Sequence, residues 1–263
     1  MDHVFLPSSL VMKASWQGLA RRASIGAMAV ACTLGLTSMT SVAAADERQP
    51  EDVGILFVGG FQTSKPNYTS YLERFSKTHT HVVFQSISSD MLNPDHQKDF
   101  ATVQKAADDL VAKGARRIIA LGFSSGGKHA ARLALENDNI FALGLLDPVD
   151  GGPDPEGKTP LFLKNGVRIN KPTLLLASEF GPIPKIAGRA CAPKDVGPEH
   201  FRAHINPEQL VVDKMIPGAS HLNFISKPWN FMFNLACNNG TADHEPTHQS
   251  IGDELAAFLE NLD

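Results

Sequence analysis

Short apolar runs alternate with amphipathic stretches along most of this chain. "VGILFV" (53–58) is a continuous apolar run closed by Gly59-Gly60, the pattern of a strand buried on both faces. "NYTSYLERFSK" (67–77) follows with Tyr68, Tyr71, Leu72 and Phe75 on one helical face. "HVVFQSI" (81–87) reads as the next strand. "DHQKDFATVQKAADDLVAKG" (95–114) then sets Phe100, Val103, Ala107, Leu110 and Val111 at helical spacing, and Gly114 stops it. "RRIIAL" (116–121) predicts a strand, "GKHAARLALEN" (127–137) a helix and "IFALGLL" (140–146) a strand. A Gly/Pro-rich loop (150–159) precedes strands "PTLLLAS" (172–178) and "LVVDKMI" (210–216), and "QSIGDELAAFLENL" (249–262) closes the chain as a helix. Strands alternating with helices imply βαβ units: an α/β fold with a mostly parallel central sheet covered by helices on both faces. In such sheets a site forms at the carboxyl ends of the strands.

The first 45 residues break this pattern. Arg21-Arg22 precede the small and apolar stretch "ASIGAMAVACTLGLTSMTSVAAA", which ends in an A-x-A at Ala45. A positive region, an apolar region and a small-residue end read as a secretory signal cut before Asp46, with Met12 as an alternative start. The expected organisation is therefore a leader (1–45) and one domain (46–263), secreted or periplasmic, with no stable membrane insertion after cleavage. Residues 46–263 carry 21 Lys and Arg against 27 Asp and Glu, a mild acidic balance that speaks against nucleic acid as a partner. They keep two cysteines, Cys191 and Cys237, and an isolated pair in an oxidising compartment reads as a disulfide. No feature of the sequence sets an oligomeric state.

The chemistry centres on "IIALGFSSGGKHAARLALE" (118–136). Gly122-Phe123-Ser124-Ser125-Gly126 matches G-x-S-x-G, a short pattern that chance also supplies, so context has to decide. Ser124 falls just past a predicted strand and just before a predicted helix, the context of a nucleophile elbow. A serine hydroxyl is a poor nucleophile until a histidine takes its proton and a carboxylate orients that histidine. On this fold the order along the chain is serine, acid, histidine. His221 in "MIPGASHLNF", on the loop after the last clear strand, suits the base. Asp147 and Glu179 both follow strands and both suit the acid, with Asp150 a further carboxylate nearby. Oxyanion donors are expected from the backbone N–H of Ser125, at the mouth of its helix, and of Phe61, in the turn "GGFQ".

Other motifs compete. "HEPTH" (244–248) matches the zinc-protease pattern H-E-x-x-H, but Pro246 lies between the histidines and removes a helical N–H. Pro246 is expected to open the last helix with His244 ahead of it. His200 and His204 form a weaker i,i+4 pair. The segment "LNFISKPWNFMFNLAC" groups Phe224, Trp229, Phe231, Met232 and Phe233, either as core or as the lining of an apolar acyl or alcohol pocket. A non-catalytic binding module on the same fold is the main rival to an enzyme, ahead of a zinc peptidase. The triad chemistry itself needs no metal and no organic cofactor.

"GFSSGGK" (122–128), "LLDPVDG" (145–151), "CAPKDVGPEHF" (191–201), "SHLN" (220–223) and "CNNG" (237–240) resemble, in order and rough spacing, the motifs of the chlorophyllase family. The resemblance covers residues 53–263. It implies an α/β-hydrolase fold with Ser124 as nucleophile, His221 as base and Asp147 as acid, and it supports the Cys191–Cys237 disulfide. Asp147 is also similar in setting to the Leu-Asp-Pro acid of the pancreatic-lipase family. Three positions depart from the family pattern: Phe123 for the elbow histidine, Ser125 for Arg or Leu, and Asn223 for the aspartate of G-H-x-D. The expected activity is a serine carboxylic-ester hydrolase acting on a small or lipid-like apolar ester, with chlorophyll not carried over as substrate.

Overall fold

The computed structural model of the protein describes residues 52–87, 95–151, 161–183, 191–226 and 237–262. The leader (1–45), most of the Gly/Pro-rich loop, and Trp229, Phe231, Met232 and Phe233 lie outside the described residues. Six strands, β1 (Val53–Val58), β2 (His81–Gln85), β3 (Arg117–Phe123), β4 (Ile140–Leu146), β5 (Thr173–Phe180) and β6 (Leu210–Ser220), form one sheet in the order β2-β1-β3-β4-β5-β6. Every neighbouring pair is parallel. The helices among the described residues are α1 (Thr69–Phe75), α2 (His96–Ala112), α3 (Ser125–Glu136), the short α4 (Pro198–Arg202) and α5 (His244–Glu260).

The unbroken apolar runs have two faces to bury. On β1, Ile55 and Phe57 point into one core with Tyr68, Tyr71 and Phe75 of the α1 region and Leu255 and Phe258 of α5. Leu56 and Val58 point the other way, against Phe100, Val103 and Leu110 of α2 and Ala130, Ala131 and Leu133 of α3. The period of two along a strand thus feeds both helical layers. Asp95 caps α2 by accepting the Lys98 N–H at 3.0 Å, the role for which a short carboxylate is favoured.

Two of the boundary differences from the sequence reading bear on the site. The last helix begins at His244, two residues before the proline expected to open it, so that Pro246 stands in its first turn. An N–H in the first turn has no intrahelical acceptor, so proline costs little there. β6 continues through Pro217 to Ser220 on the outer side of β5, where an edge strand accommodates proline and the register shifts between Ser178 and Phe180.

Cys191 and Cys237 are disulfide-bonded, 46 residues apart. Cys237 also pairs with Pro182 through an isolated antiparallel bridge, so the bond fastens the stretch after β5 to the stretch leading into α5. Closing a loop of that length is worth about 4 kcal/mol in unfolded-chain entropy. Reduction is therefore expected to lower the thermal midpoint by about 8–16 °C, read from melts with and without dithiothreitol. An unchanged midpoint in protein shown to be reduced would contradict this role for the bond.

Candidate active site

β1 pairs with β2 on one side and β3 on the other, so the chain direction of travel reverses between β1 and β3. Such a switch point leaves a crevice outside the strand ends. Val58 pairs with Gly122, which sets the Gly59–Thr63 turn beside the turn after β3. Ser124 forms that second turn with φ 53° and ψ −129°, a sparsely populated conformation for a residue with a side chain. Its N–H donates to Leu146 O at 3.0 Å, and its carbonyl accepts from Gly127 N and Val149 N, each at 2.9 Å. The turn is tight enough to require glycine on both sides. A Cβ at 122 would lie 2.6 Å from Gly126 O, and one at 126 would collide with the carbonyls of Val58 and Gly59.

Ser124 Oγ lies 3.0 Å from His221 Nε2, and His221 Nδ1 lies 2.6 Å from Asp147 Oδ2. Asp147 leaves β4 fully buried with φ 42°, its own N–H donating to Leu176 O at 2.7 Å. Its carboxylate also accepts from Ser178 N at 2.9 Å and Ser178 Oγ at 2.8 Å. A carboxylate facing Nδ1 makes that nitrogen the donor, so Nε2 of the neutral ring is left to accept from the Ser124 hydroxyl. Glu179 is brought elsewhere. It is exposed, and its carboxylate accepts from Gly218 N at 2.7 Å rather than meeting His221.

Local structure holds the imidazole. His221 opens a single 3-10 turn (His221–Phe224) capped by Ser220, whose N–H and hydroxyl donate to Asn223 Oδ1 at 2.8 and 3.0 Å. An amide oxygen serves this cap as a carboxylate oxygen would, which explains why asparagine is accommodated at 223. The Phe123 ring lies 4.6 Å from the His221 ring and is backed by Phe224 at 6.3 Å. Phe224 is fully buried, so this member of the aromatic segment belongs to the core.

Of the expected oxyanion donors, the Phe61 N–H is engaged, donating to Ser125 Oγ at 2.9 Å. Ser125 is the first residue of α3, where its N–H has no intrahelical acceptor. A ring of hydrogen bonds that sequence reading missed shapes the Phe61 turn. Gly60 N donates to Tyr68 Oη (2.9 Å), Tyr68 to Thr63 Oγ1 (2.7 Å), and Thr63 to Gly60 O (2.6 Å). Burial pushes the Tyr68 hydroxyl far above the ordinary phenol range, so it stays a neutral donor and acceptor. The sequence signal was present only as a helical-face tyrosine.

The other candidates have separate duties. Asp150 is fully buried and accepts from Phe162 N (2.9 Å) and Leu163 N (2.7 Å), with His200 Nε2 at 3.0 Å and Lys128 Nζ at 3.9 Å. It clamps the loop after β4. His204 Nδ1 meets His200 O at 2.8 Å. His244 does stand on α5 with His248, contrary to the expectation that it precedes the helix. Three of their four ring nitrogens are nevertheless committed: His244 Nε2 to Leu222 O, His248 Nε2 to Ser70 Oγ, and His248 Nδ1 to Tyr71 Oη and Asn223 O.

Residues 53–262 match the Chlorophyllase family. A comparison with curated proteins gives no match. A ferulic acid esterase from Streptomyces cinnamoneus is similar in structure, with TM-score 0.51 and 17% identity over 81% of this chain and 67% of that one. A structure described with the metagenome-derived lipolytic enzymes LipS and LipT is also similar, with TM-score 0.46 and 12% identity over 63% of this chain and 82% of that one. At these identities the ferulic acid esterase speaks to the fold. The family match spans every strand of the sheet, and on it this chain belongs to the chlorophyllase family: it is a carboxylic ester hydrolase of the α/β-hydrolase fold.

Proposed function

We propose that the protein is an exported serine esterase that cleaves a small or lipid-like apolar ester through an acyl-enzyme. The observation that supports this reading is the unbroken hydrogen-bonded line from Ser124 Oγ through His221 to buried Asp147. Ser124 Oγ attacks the ester carbonyl carbon while its proton passes to His221 Nε2. Asp147 holds the imidazolium by its Nδ1–H. The carbonyl oxygen, now an anion, takes the N–H groups of Phe61 and Ser125, displacing the Ser125 hydroxyl from the former. One such donor is worth about 3–4 kcal/mol of transition-state stabilisation. His221 returns its proton to the departing alkoxide, leaving the acyl group on Ser124. A water deprotonated by His221 then attacks that acyl carbon, and the carboxylic acid leaves as Ser124 recovers its proton.

Phe123, buried beside the His221 ring, packs the base in place. Export rests on the leader at 1–45, and the Cys191–Cys237 bond suits an oxidising compartment. Among the described residues, no helix is long and apolar enough to cross a membrane. Protein recovered from the exported fraction and treated with a fluorophosphonate probe is expected to begin at Asp46 and to carry one label on Ser124, both located by mass spectrometry. Folded protein that takes no label would favour a binding module that has lost serine activation. A first residue within 1–45 would contradict the cleavage site.

A further inference from the structure

We propose that His96 and Asp99 of α2 and His129 of α3 form a binding site for one divalent zinc ion, distinct from the catalytic line. One donor atom from each of the three side chains lies within 4.8 Å of the others. Donors around a tetrahedral zinc stand about 3.4 Å apart, given zinc–nitrogen bonds of about 2.0–2.1 Å. Reaching that spacing requires the side chains to draw inward around the ion. His96 and Asp99, at i and i+3 in the first turn of α2, share a helical face, and His129 meets them from the second turn of α3.

His129 supplies the independent observation. Its ring is 1% exposed, and both ring nitrogens are sealed from solvent with no hydrogen-bond partner among the described residues. Buried polar groups are nearly always bonded, and a metal ion would engage one of these two orphaned nitrogens. Its ring lies 6.1 Å from that of His96 and is stacked on Phe100 at 6.5 Å, which holds it facing α2. Two cations stand nearby: Lys128 Nζ lies 3.9 Å from Asp150, and Arg132 bonds Gln97 and Glu136 above the Phe100 ring. Two imidazoles and one carboxylate are the donors of zinc rather than of calcium or magnesium, which take oxygen ligands. A water completes the shell. The ion would pin α3, whose first residue follows Ser124, to the start of α2. Reading the sequence for i,i+4 histidine pairs passed over this trio because its ligands come from two helices.

The test uses the purified protein stripped by chelator and dialysed, then titrated with zinc chloride in a calorimeter and melted with and without zinc. One equivalent is expected to bind, with a rise in midpoint of about 5–10 °C at a free zinc concentration a hundredfold above Kd. Cobalt(II) in place of zinc is expected to give the visible absorption of a four-coordinate site. His96→Ala, at a partly exposed position that leaves the core intact, and His129→Gln are each expected to lose the stoichiometric binding and the rise. Circular dichroism of His96→Ala separates loss of the site from loss of the fold. No stoichiometric zinc, or zinc binding and stabilisation that persist in folded His96→Ala, overturns the proposal.

Discussion

Ser124→Ala is expected to lower kcat on p-nitrophenyl acetate by about 10⁶-fold, the scale seen when a serine hydrolase loses its nucleophile. The substitution removes one oxygen. The turn that presents it is held by backbone bonds, from Ser124 N to Leu146 O and from Gly127 N and Val149 N to Ser124 O, which alanine keeps. The strained φ and the cramped glycines at 122 and 126 are equally unaffected, so the thermal midpoint is expected to stay within a few degrees of the parent. Imidazole and oxyanion donors also survive, and together with substrate binding they leave about 10³–10⁴-fold acceleration over water. A folded variant retaining activity within tenfold of the parent would remove Ser124 as nucleophile and return attention to other chemistry. Measuring kcat separately from KM matters here, because a hydroxyl used only for binding would raise KM and spare kcat.

Much of the fold was legible because parallel strands buried on both faces are written as unbroken apolar runs. "VGILFV", "IFALGLL" and "TLLLA" stand out for that reason, and their alternation with helical stretches gives the order of elements. The elbow was legible because its steric demands are local, with glycines on both sides of one serine. What could not be read was anything decided between elements. Asp147 and Glu179 each stand at the end of a predicted strand, and position alone does not separate them; only the family resemblance favoured Asp147. In space β5 presents the Ser178 amide and hydroxyl to Asp147, while Glu179, the next residue, points to the other side of the sheet and is taken by Gly218. The Gly60–Tyr68–Thr63 ring and the His96–Asp99–His129 trio were hidden for the same reason. The start of α5 was misjudged because proline was read as the first helical residue, when the whole first turn tolerates it.

Asp147→Asn is expected to reduce kcat by about 10⁴-fold, while Glu179→Gln leaves it essentially unchanged. The first result follows from proton positions more than from charge alone. Ser178 N–H donates to Oδ1, so the amide oxygen of an asparagine is held on that side. Its NH₂ then occupies the place of Oδ2, where His221 Nδ1 now lies 2.6 Å away. A donor in that place turns Nδ1 into an acceptor and moves the ring proton to Nε2. The nitrogen facing Ser124 can then no longer receive the hydroxyl proton, although every heavy atom remains where it was. The Ser178 hydroxyl can reverse its direction and donate to Phe180 O, 3.3 Å away, so the substitution is not expected to unfold the loop. Gln at 179 still offers an amide oxygen to Gly218 N–H at an exposed site, so neither stability nor turnover has reason to change. Assayed together at equal fold, the two variants separate the carboxylates cleanly. A large loss in Glu179→Gln with Asp147→Asn near the parent would reverse the assignment, and would require β5 and β6 to rearrange before the ester is cleaved.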